Sequence, residues 1–138
     1  MKKRVIAIVG VVVIVAGLVF GGRILFDTMR DRRIISEIDL RTPDLLQIQD
    51  GTFNGSFDAI LVAANVDVTV ENHRIVEIII NEHYHGNWDA APEAEGVIVD
   101  VILEQSLEVD TVSGATNSSK VILSAVQDAL EGAIVAQP

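Results

Sequence analysis

Residues 5–22 carry no charge and a single aromatic side chain, Phe20. Eighteen such residues at the helical rise extend about 27 Å, close to the thickness of a bilayer's hydrocarbon core. Ile24, Leu25 and Phe26 lengthen the apolar run if Arg23 snorkels to the interface. A chain that starts this way has little choice for its first element: a helix in lipid, or a secretory signal. The basic residues Lys2, Lys3 and Arg4 suit either one. The apolar run is long for a signal peptide, no A-x-A-like cleavage site follows it, and there is no lipobox cysteine. An uncleaved anchor is therefore expected. Arg23, Arg30, Arg32 and Arg33 on the far side nearly cancel the charge bias of the N-terminus. The very short tail before the span favours a single-pass protein of the cell membrane with its domain on the extracytoplasmic side.

The rest of the chain differs sharply in charge. Of 10 basic residues, seven lie at or before Arg33. From Ile34 onward three basic residues, Arg41, Arg74 and Lys120, face 18 acidic ones, a net charge of −15. A mean hydropathy of +0.40 alongside that charge is explained by the apolar start. Such a domain lacks the Lys and Arg needed to grip nucleic-acid phosphates. With no cysteine, disulfides, thiolate chemistry and Cys-ligated clusters are ruled out.

The periodicities predict an α+β fold: an N-terminal transmembrane helix, then a small antiparallel sheet with two packing helices. Residues 1–26 form the anchor, 27–42 a stalk or linker that begins as a charged helical continuation, and 43–138 the domain. Asp50-Gly51 and Asn54-Gly55 are turn or bulge signals around short β-prone pieces holding Phe53 and Phe57, which read as core. Val66, Val68 and Val70 alternate with Asp67 and Thr69. A turn at 71–74, with His73 in it, leads to a second strand at 75–80, so the pair reads as a hairpin. A polar loop is expected at 82–88. Pro92 opens a helix to about Ser106 with an apolar stripe of Val97, Ile98, Val101 and Ile102. The last helix is expected from Ser118 to about Ala136, with Ile122, Ala125, Val126, Ala129 and Leu130 inward.

The chemistry is expected in the loop from Asp110 to Ser119, DTVSGATNSS. Gly114 and Ala115 let a ligand approach the main chain. Ser113, Thr116, Asn117, Ser118 and Ser119 supply hydroxyls and an amide. The free N–H groups and dipole at a helix start favour an anion, phosphate above all. Asp110 would repel a phosphate beside it, so it orders the loop or positions a hydroxyl. A plainer reading stands next to this one: Asn117 or Ser118 simply caps the helix.

DTVSGAT resembles the flavinylation motif D-x-x-[ST]-G-A-T of the FMN-binding domain family, which includes the covalent-flavin subunits of the sodium-translocating NADH:quinone reductase and the Rnf complex. The match is complete at Asp110, Ser113, Gly114, Ala115 and Thr116. Residues 50–59, DGTFNGSFDA, look like the family's opening segment, so the resemblance covers about 50–136 of a minimal, free-standing member. It implies FMN joined by a phosphoester to Thr116, placed there from FAD by a separate flavin transferase that recognises the motif, including Asp110. Ser118 and Ser119 are then expected to donate to the phosphate. It also implies an electron carrier that exchanges electrons with a membrane donor or redox protein. No nicotinamide site, substrate base or metal cage accompanies the motif, and the chain is too short for a second, substrate-binding domain. A reversible FMN or phosphate-ligand module without redox duty is the alternative, and a purely structural anchored domain a third.

Thr52, Asn54 and Gly55 are candidates to line the site. His83 and His85 flank Tyr84, with Trp88 near, and suggest a rim for the flavin ring. The competing readings are an exposed loop or, more weakly, an H-x-H metal pair.

Overall fold

A computed structural model describes residues 1–84 and 91–135, apart from the side chains of 91, 92 and 135. The readings placed on His85 and Trp88 fall outside the described residues.

Helix α1 spans Lys2–Ser36 without a break. Its apolar window is long enough to cross a membrane, and none of that window is buried against the protein. The charged turns that follow continue the same helix, and its last part touches the domain through Asp31 and Ile35. Those two residues are four apart and so share a face, onto which Ile34 and Ile38 also pack.

The sheet is a three-stranded antiparallel meander of β1 (Gly51–Asp58), β2 (Ala63–Glu71) and β3 (Arg74–Tyr84). Along β2 the even-numbered Ala64, Val66, Val68 and Val70 are buried, as the alternation requires. The β2–β3 turn places Asn72 and His73 at φ 52° and 61°, the left-handed pair that suits the twist of a tight hairpin. Asp50 Oδ1 accepts from the Asn72 N–H at 2.7 Å and holds that turn.

Three boundaries differ from the sequence reading. β1 is one continuous strand through Gly55 rather than short pieces split by turns. β3 runs on to Tyr84, because β2 starts at Ala63 and supplies partners for Tyr84, His83 and Glu82. The expected loop at 82–88 therefore begins as strand. The helix after Pro92 divides into a 3₁₀ segment, Ala91–Gly96, and α2, Val97–Glu104. Gln105 stops α2 in a left-handed conformation. Its side-chain Oε1 then accepts from the Ile75 N–H, and its Nε2 donates to the Ile75 carbonyl, both at 2.8 Å. That amide closes part of the β3 edge.

Helix α3, Thr116–Val135, lies across β1 and β2. Its own residues Val121–Val126, Ala129 and Leu130 are buried against the sheet. The close approach rests on Gly55. A Cβ there would meet the Ala125 carbonyl oxygen, the Ala129 nitrogen and, at 2.7 Å, the Ala129 Cβ. A glycine inside a strand is the usual mark of such an approach. Gly55 therefore works in the core and does not line the site as expected.

Candidate functional site

The connection from α2 to α3 is fixed at both ends. Near its start Leu107 is fully buried, and its N–H donates to Thr42 Oγ1 at 2.9 Å. Near its end Val112–Ala115 forms a turn in which the Ala115 N–H donates to the Val112 carbonyl at 3.0 Å. Gly114 occupies the third position of that turn at φ 80°, where a side chain would be strained. Space around it is open, so the need for glycine here comes from the backbone conformation.

Ser119 ties this turn to the helix. Its Oγ donates to the Ala115 carbonyl at 2.9 Å and accepts from the Val112 N–H at 3.1 Å. Ser119 is 0% exposed, and its single proton is already committed. Its expected role as a phosphate donor therefore gives way to a role in holding the loop.

α3 begins at Thr116, two residues earlier than expected. Asn117 and Ser118 therefore sit inside the first turn, and neither is its cap. Ala115, which has no polar side chain, occupies the capping position. The Ser119 N–H makes the first helical bond, to the Ala115 carbonyl at 2.9 Å. Among the described residues nothing accepts from the N–H groups of Thr116, Asn117 and Ser118. The plain capping reading thus fails, and three aligned donors stay open toward solvent.

These residues open onto a cleft of about 320 Å3. Gly114–Ser118 form one wall, Leu61 and Val62 of the β1–β2 connection a second, and Thr28, Asp31 and Arg32 of α1 a third. Thr116, Asn117 and Ser113 are exposed. Ser118 is 6% exposed, and its hydroxyl makes no hydrogen bond among the described residues but keeps access to the cleft. Asp110 is exposed and accepts no hydrogen bond among the described residues, so it does not order the loop as expected.

Among the described residues, Asp31 is the one acid lining the cleft and Arg32 the one base. Asp31 is 5% exposed, and its Oδ1 accepts from the Leu61 N–H at 3.1 Å. Burial pushes its carboxyl above the usual range, the Leu61 hydrogen bond opposes that shift, and nearby Asp58 adds to it.

The remaining candidates lie elsewhere. Thr52 pairs with Thr69 across the outer sheet face at 2.9 Å, and Asn54 joins Asn65 and Asp67 there. The His83 side chain is 2% exposed, with Nδ1 3.3 Å from Glu95 Oε1, and it is not part of the cleft. The walls from α1 and from the β1–β2 connection were missed by sequence reasoning. The available signal was Asp31, which lies on the same helical stripe as Ile35 and Ile38.

A family model for the FMN-binding domain matches residues 62–131, half of the chain. The chain belongs to the FMN-binding domain family. No curated protein and no solved structure matches it. The family match starts at Val62 in the cleft wall and covers the whole motif and most of α3. It leaves out α1 and β1, including the 50–59 segment expected to open the family domain. The cleft suits the phosphate of FMN: three open N–H groups and the uncommitted Ser118 hydroxyl line it together with an arginine.

Proposed function

We propose that this is a membrane-anchored flavoprotein that carries FMN as a phosphoester on Thr116 and transfers electrons. The observation that carries the reading is the placement of Thr116. Its hydroxyl is exposed at the first position of α3, at the mouth of a cleft lined by unfilled donors. A phosphate esterified there meets the N–H groups of the first turn and the Ser118 hydroxyl, and the helix dipole favours its charge. The motif residues match the family's flavinylation pattern, with Asp110 exposed where a flavin transferase can reach it.

In the attachment step Thr116 Oγ1 attacks the riboflavin-side phosphorus of FAD. The pyrophosphate P–O bond breaks, AMP leaves, and the hydroxyl proton passes to the transferase or water. When bound, FMN supplies one- and two-electron redox chemistry, and the protein's part is to hold and tune it. Ser119 and Gly114 keep the loop in shape for this. In this reading the domain lies on the extracytoplasmic side of the membrane.

The test is a denaturing gel under blue light of protein made with and without a flavin transferase. Fluorescence is expected only with the transferase, is lost in Thr116→Val and is kept in Thr116→Ser. A dark wild-type band removes the covalent reading. Flavin released by acid precipitation points instead to a reversible FMN-binding module.

A further inference from the structure

We propose that the outer turns of α1 are part of the flavin site, with Arg32 as the cation that holds the flavin phosphate against the start of α3. This rests on the reading of Thr116 as the phosphate carrier. It adds residues that lie outside the family match, which begins at Val62.

Thr28, Asp31 and Arg32 are spaced i, i+3 and i+4, so one helical face presents all three to the cleft. That face is fixed on the domain. Ile35, one turn further on, is 3% exposed, and Asp31 is bonded to the Leu61 main chain at 3.1 Å. The wall is therefore built into the fold, even though it comes from the anchor.

Charge then singles out Arg32. The chain from Ile34 onward carries −15, and an anion in its cleft needs a local cation. Arg32 is the one base lining the cleft among the described residues. Its neighbour Arg33 is paired with Glu37 at 3.0 Å, whereas Arg32 makes no ion pair among the described residues. Asp31 directs Oδ1 to Leu61, leaving the guanidinium uncommitted. On the wall across from it, Ser118 is 6% exposed, and its hydroxyl, which makes no hydrogen bond among the described residues and is not a buried orphan, stays open to the cleft. A phosphate between Arg32 and the first turn of α3 satisfies both groups. The planar fork of arginine fits phosphate oxygens better than a point charge does.

The experiment uses the full chain in nanodiscs with Thr116→Ala, so that no flavin is attached, titrated with FMN and with riboflavin. The cleft is expected to prefer FMN. Adding Arg32→Gln is expected to weaken FMN binding about tenfold or more, as loss of a charge-assisted hydrogen bond does, and to leave riboflavin unchanged. Arg32→Lys is expected to recover part of the loss. Equal FMN affinity with and without Arg32, equal loss for both flavins, or no FMN binding by the Thr116→Ala parent each overturn the proposal. A dark wild-type gel would remove covalent attachment without touching the FMN preference. A fluorescent gel with no effect of Arg32→Gln would remove the role of Arg32 alone.

Discussion

The Asp31 carboxylate accepts a hydrogen bond from the Leu61 main-chain N–H at 3.1 Å, across thirty residues of sequence. One partner belongs to the helix long and apolar enough to cross a membrane, the other to the connection that walls the cleft. The bond, with buried Ile35 beside it, fixes the anchor's exit against the site. Thr28 lies two residues past Phe26, about 3 Å of helical rise, so the cleft is carried close to the end of the apolar span. The motif, which lines the same cleft, thus lies near that end of the apolar span.

Asp31 also gives the protein a defined response to pH. Its folded pKa is raised from 3.8, chiefly by burial, so the folded state holds the proton more tightly than the unfolded state. The resulting stabilisation is present below the unfolded value, about pH 4, and is lost as pH rises through the folded pKa. Asp31→Asn keeps an acceptor for Leu61 and removes this titration. Thermal unfolding from about pH 4 to 7 is expected to show the wild type losing stability relative to Asp31→Asn as pH rises. Parallel curves would contradict it.

Ser119→Ala removes the link between Val112 and Ala115. The Val112 N–H then loses its partner in a part-buried position, a change that costs about 1–3 kcal/mol. Thr116 keeps its hydroxyl, so flavin attachment should slow without being abolished. Faster amide exchange at Val112 together with a weaker gel band is the expected pair of results. A faint band with unchanged exchange would point to direct contact between Ser119 and the transferase.

Gly55→Ala acts through the core. The added methyl falls on α3 main chain at Ala125 and Ala129, which cannot move aside as a flexible side chain can. Overpacking of this kind costs about 1–3 kcal/mol, and this site should be at the upper end. Chemical denaturation measures it. A neutral result would mean that α3 shifts off β1 freely.

The parts of this fold that could be read from the sequence are those with local causes. Val66, Val68 and Val70 alternate because one face of β2 is buried, and Asn72-His73 turns because a tight hairpin needs two left-handed residues. The DTVSGAT motif is contiguous, so it too was visible. Gly55, Ser119 and Asp31 were harder, because distant partners decide what each one does. The glycine in β1 resembled a turn signal until α3 was laid over it. Ser119 has the same hydroxyl as Ser118, and only its hydrogen bonds to Val112 and Ala115 separate the one that holds the loop from the one that lines the cleft. The α1 wall was hidden in a charged stretch whose arginines suggested a stalk, and Asp31 gains its meaning only beside Leu61.

The fixed contact between α1 and the domain leads to a test of electron exchange at the membrane. Seven helix-forming residues inserted between Phe26 and Asp27 lengthen α1 by about 10 Å. They change the facing of the helix by only about 20°, since seven residues nearly complete two turns. The face bearing Thr28, Asp31 and Arg32 stays on the domain, so the cleft and Thr116 are preserved. Flavin attachment should therefore match the wild type on a fluorescent gel. Reduction of the flavin by native membranes, followed by loss of its visible absorbance, should slow steeply, because the site now stands farther from any partner in the bilayer. Unchanged reduction by membranes, with attachment intact, would assign the electron partner to a soluble protein.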